Sequence, residues 1–176
     1  MQQHLVISLI SDDKPGVVEK LSAVIADKGG NWEDSRMAHF AGKFAGILRV
    51  SVPSDSCQPL KDALVALSVE GYKLQIEEAS AVAAGDRQTL TLKLVGNDRP
   101  GIVREISRAL AARHINMEQL DTGYDSTPWS GEPLFTAECV IQVAGDMDLD
   151  GLQDELDSIA DELGVEIDCE EIASPQ

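Results

Sequence analysis

No lysine or arginine follows Arg113, although 17 acidic residues do. Up to Arg113 the 176-residue chain balances 14 acidic against 14 basic residues, so its formal net charge of −17 belongs wholly to the last third. Duplex nucleic acid is gripped mainly through Lys and Arg contacts to phosphate, so this sign argues against direct nucleic-acid binding. Such a region serves as a solvated face that keeps the chain soluble, or as a dock for a basic partner surface. Cysteine is also scarce. Cys57, Cys139 and Cys169 are far apart and form no Cys-x-x-Cys pair, which excludes a disulfide framework or a thiolate zinc site. His4, His39 and His114 stand apart from one another and from any cysteine, so no metal is expected. No apolar run approaches the roughly 18 residues of a membrane span, and no basic stretch leads into a cleavable apolar segment; a cytoplasmic chain is predicted. The Gly-x-Ser-x-Gly elbow, the phosphate loop, the dinucleotide fingerprint and the His-Glu-x-x-His helix are all missing. Neither catalysis nor a cofactor is therefore expected.

What is present occurs twice. Asp13-Lys14-Pro15-Gly16 reappears as Asp98-Arg99-Pro100-Gly101, and the surroundings repeat in step. Upstream, Leu5, Ile7 and Leu9 match Leu90, Leu92 and Leu94, each set alternating as a half-buried strand does. Downstream, Val17, Val18, Leu21, Val24 and Ile25 match Ile102, Val103, Ile106, Ala109 and Leu110, the apolar stripe of an amphipathic helix. Asn31 and Asn116 then open second strands. Third strands are predicted over Phe44 to Val52 and Phe135 to Val143, and second helices carry Leu60, Leu64 and Leu67 or Leu152, Leu156 and Ile159. Final strands follow Gly71 and Gly164, each suited to the left-handed close of a helix. By its second helix the second copy has gained seven residues, which the stretch from Ser126 to Glu132 can supply.

The order βαββαβ, twice over, predicts an α+β chain of two tandem ferredoxin-like domains, each an antiparallel sheet with both helices on one face. The expected boundaries are 1–78 for the first domain, 79–89 for the linker and 90–176 for the second. One sheet face of each domain is left bare, and its cover is expected to be the sister domain or a second chain, as in a homodimer.

The junction of strand, Asp-(Lys or Arg)-Pro-Gly and helix is the strongest local signal. Proline suits the first helical turn, and glycine leaves the backbone open to a visitor. The helix amides and dipole then suit a carboxylate, while Asp12, Asp13 and Asp98 suit an ammonium group. The same residues are equally good helix-start chemistry with no ligand. Asn31 and Asn116 either fix a ligand through their amides or cap the preceding helix in a left-handed conformation. Trp32 is expected to pack at the domain junction. Trp129, in the extra segment, is a candidate partner contact, against the alternative of folding back on its own domain.

Both copies resemble ACT domains, regulatory amino-acid-binding modules, over Leu5 to Glu171. The run Asp13-Lys14-Pro15-Gly16-Val17-Val18, with Asn31-Trp32-Glu33-Asp34-Ser35-Arg36-Met37-Ala38, is similar to the glycine cleavage system transcriptional repressor family of bacteria. The resemblance implies a small amino acid such as glycine as ligand, and a DNA-binding activator protein as partner, with no contact to DNA itself. It implies ligand-side residues Asp13, Pro15, Gly16, Val17 and Asn31 in the first copy, and Asp98, Pro100, Gly101, Ile102 and Asn116 in the second. Where the first copy has Ser35-Arg36 the second has Leu120-Asp121, so the two sites are not equivalent. A regulatory subunit of an amino-acid metabolic enzyme is the alternative.

Overall fold

Alternating apolar residues give the first strand its two faces. In a computed structural model, which describes residues 1–79, 87–126 and 133–171, β1 (Gln2–Asp12) buries Leu5, Ile7 and Leu9 while its intervening side chains turn the other way. Helix α1 (Val17–Asp27) lays Val17, Leu21 and Ile25 over that face. Strands β2 (Asn31–Phe40) and β3 (Lys43–Pro53) follow, then α2 (Ser54–Ala66), a 3₁₀ turn (Leu67–Glu70) and β4 (Lys73–Glu78). The second unit repeats this as β5 (Arg87–Asn97), α3 (Ile102–Ala112), β6 (Asn116–Ser126), β7 (Pro133–Ala144), α4 (Leu149–Leu163) and β8 (Val165–Glu171). The strand orders are β2-β3-β1-β4 and β6-β7-β5-β8, antiparallel throughout. These are the two ferredoxin-like sheets that the repeat predicts. By contacts the chain divides into Met1–Val82 and Ala83–Gln176.

Each unit has its own core. In the first, Leu5, Ile7, Leu48 and Val50 of the sheet meet Leu21, Leu60 and Leu64 of the helices, all at most 1% exposed. Fully burying such a side chain contributes about 1.5–3 kcal/mol. On the opposite sheet face Ile10 and Ile47 are half exposed. The helical stripe is narrower than its apolar spacing suggests, because Val18 and Val103 fall at the margin and remain exposed.

Strand register locates the extra residues of the second copy. Val50 lies opposite Leu5, whereas Ile141 lies opposite Leu90, so six residues enter at the β6–β7 hairpin; Leu74 lies opposite Leu9 and Ile167 opposite Leu94, so two more enter between β7 and β8. The left-handed residues that close α1 and α3 are Gly29 (φ 73°) and His114 (φ 58°). Asn31 and Asn116 are therefore not left-handed caps but the first residues of strands. Gly71 and Gly164 do adopt left-handed conformations, at φ 90° and 65°.

Candidate functional site

The repeated turn has the same backbone in both units. Gly16 (φ 90°, ψ 3°) and Gly101 (φ 105°, ψ −8°) stand immediately ahead of α1 and α3, in the left-handed region where a side chain costs energy. A Cβ at either position would meet nothing within 4 Å, so conformation, not crowding, calls for glycine there. Pro15 and Pro100 consequently lie one residue outside the helix, not in its first turn as the sequence suggests. Among the described residues no side chain caps either helix. The carbonyls of Gly16 and Gly101 accept the first helical bonds, from the amides of Lys20 (2.9 Å) and Glu105 (3.0 Å). The amides that precede those have no partner within the helix. Val17 and Ile102 point into the core, while Asp13, Pro15, Gly16 and Asp98, Pro100, Gly101 are exposed.

The acids around the turn are not equally free. Asp12 bonds Lys43, and that contact holds its carboxyl below the usual range. Asp13 faces His39 Nε2 at 3.6 Å. Asp98 has no side-chain partner among the described residues. Each first helical turn also carries a glutamate, Glu19 or Glu105. Glu105 is neutralised by Arg104 (2.9 Å) and Arg108 (2.7 Å). The basic residue of each motif points away from the amides, Lys14 to the carbonyl of Glu70 (3.5 Å) and Arg99 to that of Glu162 (3.3 Å).

Asn31 and Asn116 do not join these turns. Asn31 pairs through Ser51 with His4, at the start of β1, whereas the turn follows Asp12 at its end. Eight residues of strand separate the two positions, roughly 26 Å at about 3.3 Å per residue. The same holds in the second unit, where Asn116 aligns through Gln142 with Thr89. One unit therefore does not bring its own turn and asparagine to a single small ligand. Trp32 packs against the core of its own unit, and Trp129 lies outside the described residues.

A polar cluster near Asn31 was not visible in the linear order. The β2 register slips between Trp32 and Asp34, and Glu33 at that bulge reaches Arg49 Nε (2.9 Å) and His4 Nδ1 (3.3 Å). A hydrogen bond from Ser51, with His4 and Arg49 adding to it, holds the Glu33 carboxyl below the usual range. The bulge recurs between Met117 and Gln119, but there, among the described residues, Glu118 meets only Asn116, at 3.2 Å. Repetition of the Asn-x-Glu spacing was the one signal that could have found it. A separate cavity of about 20 Å³ under α3, edged by Ile102, Val103, Met117 and Leu120, is apolar throughout and offers nothing to a charged group. Among the described residues, no three His, Cys, Asp or Glu are placed to hold a metal ion. No described helix is long and apolar enough to cross a membrane.

Comparison with known proteins agrees with the fold. Residues 3–76 match the family model of the ACT domain. The glycine cleavage system transcriptional repressor of Escherichia coli (strain K12) is 25% identical over 125 residues, 68% of this chain. The match spans 64% of the repressor's length, a little under two thirds. A crystal structure of an unknown protein from Galdieria sulphuraria superposes with a TM-score of 0.87 at 28% identity, covering 98% of this chain and all of that one. A second crystal structure, assigned provisionally to a glycine cleavage system transcriptional repressor, superposes with a TM-score of 0.73 over 99% of both chains. At 22% identity that likeness shows the fold.

Proposed function

We propose that this tandem ACT-type chain, which resembles the glycine cleavage system transcriptional repressor, is a regulator that binds a small amino acid and acts through a protein partner. The observation that carries the reading is the uncapped helix start, present twice, at Asp13–Gly16 and Asp98–Gly101. Free amides and the positive end of the helix dipole favour a carboxylate, and the left-handed glycine leaves the approach open. Asp13 and Asp98, exposed beside those amides, are the acceptors for the ligand's ammonium group. Asn31 and Asn116, at the far sheet end, serve a separate contact in this scheme. Glycine is the ligand suggested by the repressor's name, and the class of small zwitterions is what the turn chemistry supports.

A DNA-binding activator is the proposed partner, because a net charge of −17 opposes direct contact with phosphate. Ligand binding shifts the partner interaction only as far as the ligand distinguishes two states of the protein. The test is a thermal-shift panel of amino acids at millimolar concentration, since a ligand of the native state raises its stability. Glycine or a close analogue is expected to raise Tm, and Gly16→Val with Gly101→Val to abolish the rise. An unchanged Tm across all amino acids would remove the sensor reading. In pull-downs, capture of a transcription activator supports the proposal, whereas capture of a biosynthetic enzyme would move the chain to a regulatory-subunit role.

A further inference from the structure

We infer that Lys14 and Arg99 are positioning residues, struts that tie each candidate ligand turn to the C-terminal end of the second helix in the same unit. The inference rests on the amino-acid-binding reading of those turns and deepens it by naming what the turn moves. Lys14 Nζ reaches the carbonyl of Glu70, the last residue of the 3₁₀ turn that extends α2, and lies 5.4 Å from the ring centre of Tyr72. Lys20 of α1 grips the same residue through its carboxylate, at 3.2 Å. In the second unit Arg99 Nη2 reaches the carbonyl of Glu162, in the last turn of α4. Both acceptors lie at the end of the second helix, Glu70 one residue before Gly71 and Glu162 two before Gly164, although one unit uses lysine and the other arginine.

Placement explains why a cation belongs here. A positive charge beside a helix N-terminus opposes the dipole, whereas at a helix C-terminus it is favourable. Each strut draws its charge from the first site to the second, which leaves the amides after Gly16 and Gly101 to an anion while keeping the site's field positive. A carboxylate seated on those amides then steadies the turn, and the strut passes that constraint to the end of α2 or α4. Coupling of this kind is reciprocal between the two ends.

The experiment is amide hydrogen exchange on the full chain, with and without glycine, for wild type, Lys14→Ala, Arg99→Ala and the exchange pair Lys14→Arg with Arg99→Lys. In wild type, glycine slows exchange at Gly71 and Tyr72, whose amides bond Ser68 and Leu67, and at Gly164, whose amide bonds Asp161. The alanine variants lose that protection and bind glycine about tenfold more weakly, within the usual range of coupling between sites. The exchange pair retains both, since either cation can reach the carbonyl. Alanine variants that keep full protection and affinity would overturn the inference while leaving the ligand reading intact. If no amino acid protects the wild-type turns, the ligand reading fails by itself. The struts are then judged without ligand: faster exchange at Gly71 in Lys14→Ala supports them, and unchanged exchange overturns them.

Discussion

Glu19 is the third residue of α1 and Glu105 the fourth of α3, and among the described residues only Glu105 is held by two arginines. A bare carboxylate one turn from the candidate site stabilises the helix start and repels an anionic ligand through the same field. Glu19→Gln is therefore expected to tighten amino-acid binding by about two- to fivefold, the scale of a single charge at a helix end, whereas Glu105→Gln changes it less. Calorimetric titration of the two variants checks the difference. Cys139 provides a second residue-scale prediction. Burial pushes its thiol from the ordinary 9.0 up to about 11. Because the folded state holds that proton more tightly than the unfolded one, its contribution to stability is constant below pH 9 and declines as pH rises towards 11. Cys139→Ala is expected to flatten that part of the profile, as read by urea unfolding between pH 8 and pH 10.5. Cys169 shifts in the same direction, also through burial, and steepens the decline in the parent protein.

At the scale of elements, the helical stripes separate into positions that carry stability and positions that do not. Leu21 and Leu64 are fully buried in the first core, so truncation to alanine is expected to cost about 2–5 kcal/mol. Val18→Ala and Val103→Ala, at the exposed margin of the same stripes, stay within about 0.5 kcal/mol. Chemical denaturation measures both. This division also marks how far the sequence carries the fold. Apolar periods of two and of 3.6 locate β1, α1, β5 and α3, because those patterns follow directly from which side chains reach the core. Periodicity does not show that α2 begins at Ser54, since Pro59 inside it contributes no amide and resembles a helix start. Nor does it show how far Asn31 lies from Gly16. That separation is set by strand direction, and only the register of β1, β2 and β3 reveals it. The turns Asp13–Gly16 and Asp98–Gly101 were legible because their chemistry is contiguous in sequence. The Glu33 cluster joins residues 4, 33, 49 and 51 from three strands, so no local pattern announces it. The struts were hidden for the same reason, since their acceptors are backbone carbonyls some 60 residues away.

Across the whole chain, duplication has kept the scaffold and let the charge diverge. Met1–Val82 has 8 Lys and Arg against 11 Asp and Glu, a net −3, whereas Ala83–Gln176 has 6 against 20, a net −14. Self-repulsion of that size destabilises a compact domain, and salt relieves it because the screening length falls from about 30 Å at 0.01 M to about 10 Å at 0.1 M. Raising ionic strength across that range is therefore expected to raise Tm. Amide exchange should assign most of the gain to β5–β8, with little change in β1–β4. The same experiment bears on the partner. If the acidic unit meets a basic protein surface, the partner's affinity falls over the salt range in which the free chain gains stability, because both effects arise from one field. A partner interaction indifferent to salt would place the contact away from the acidic unit and leave its charge as a device for solubility alone.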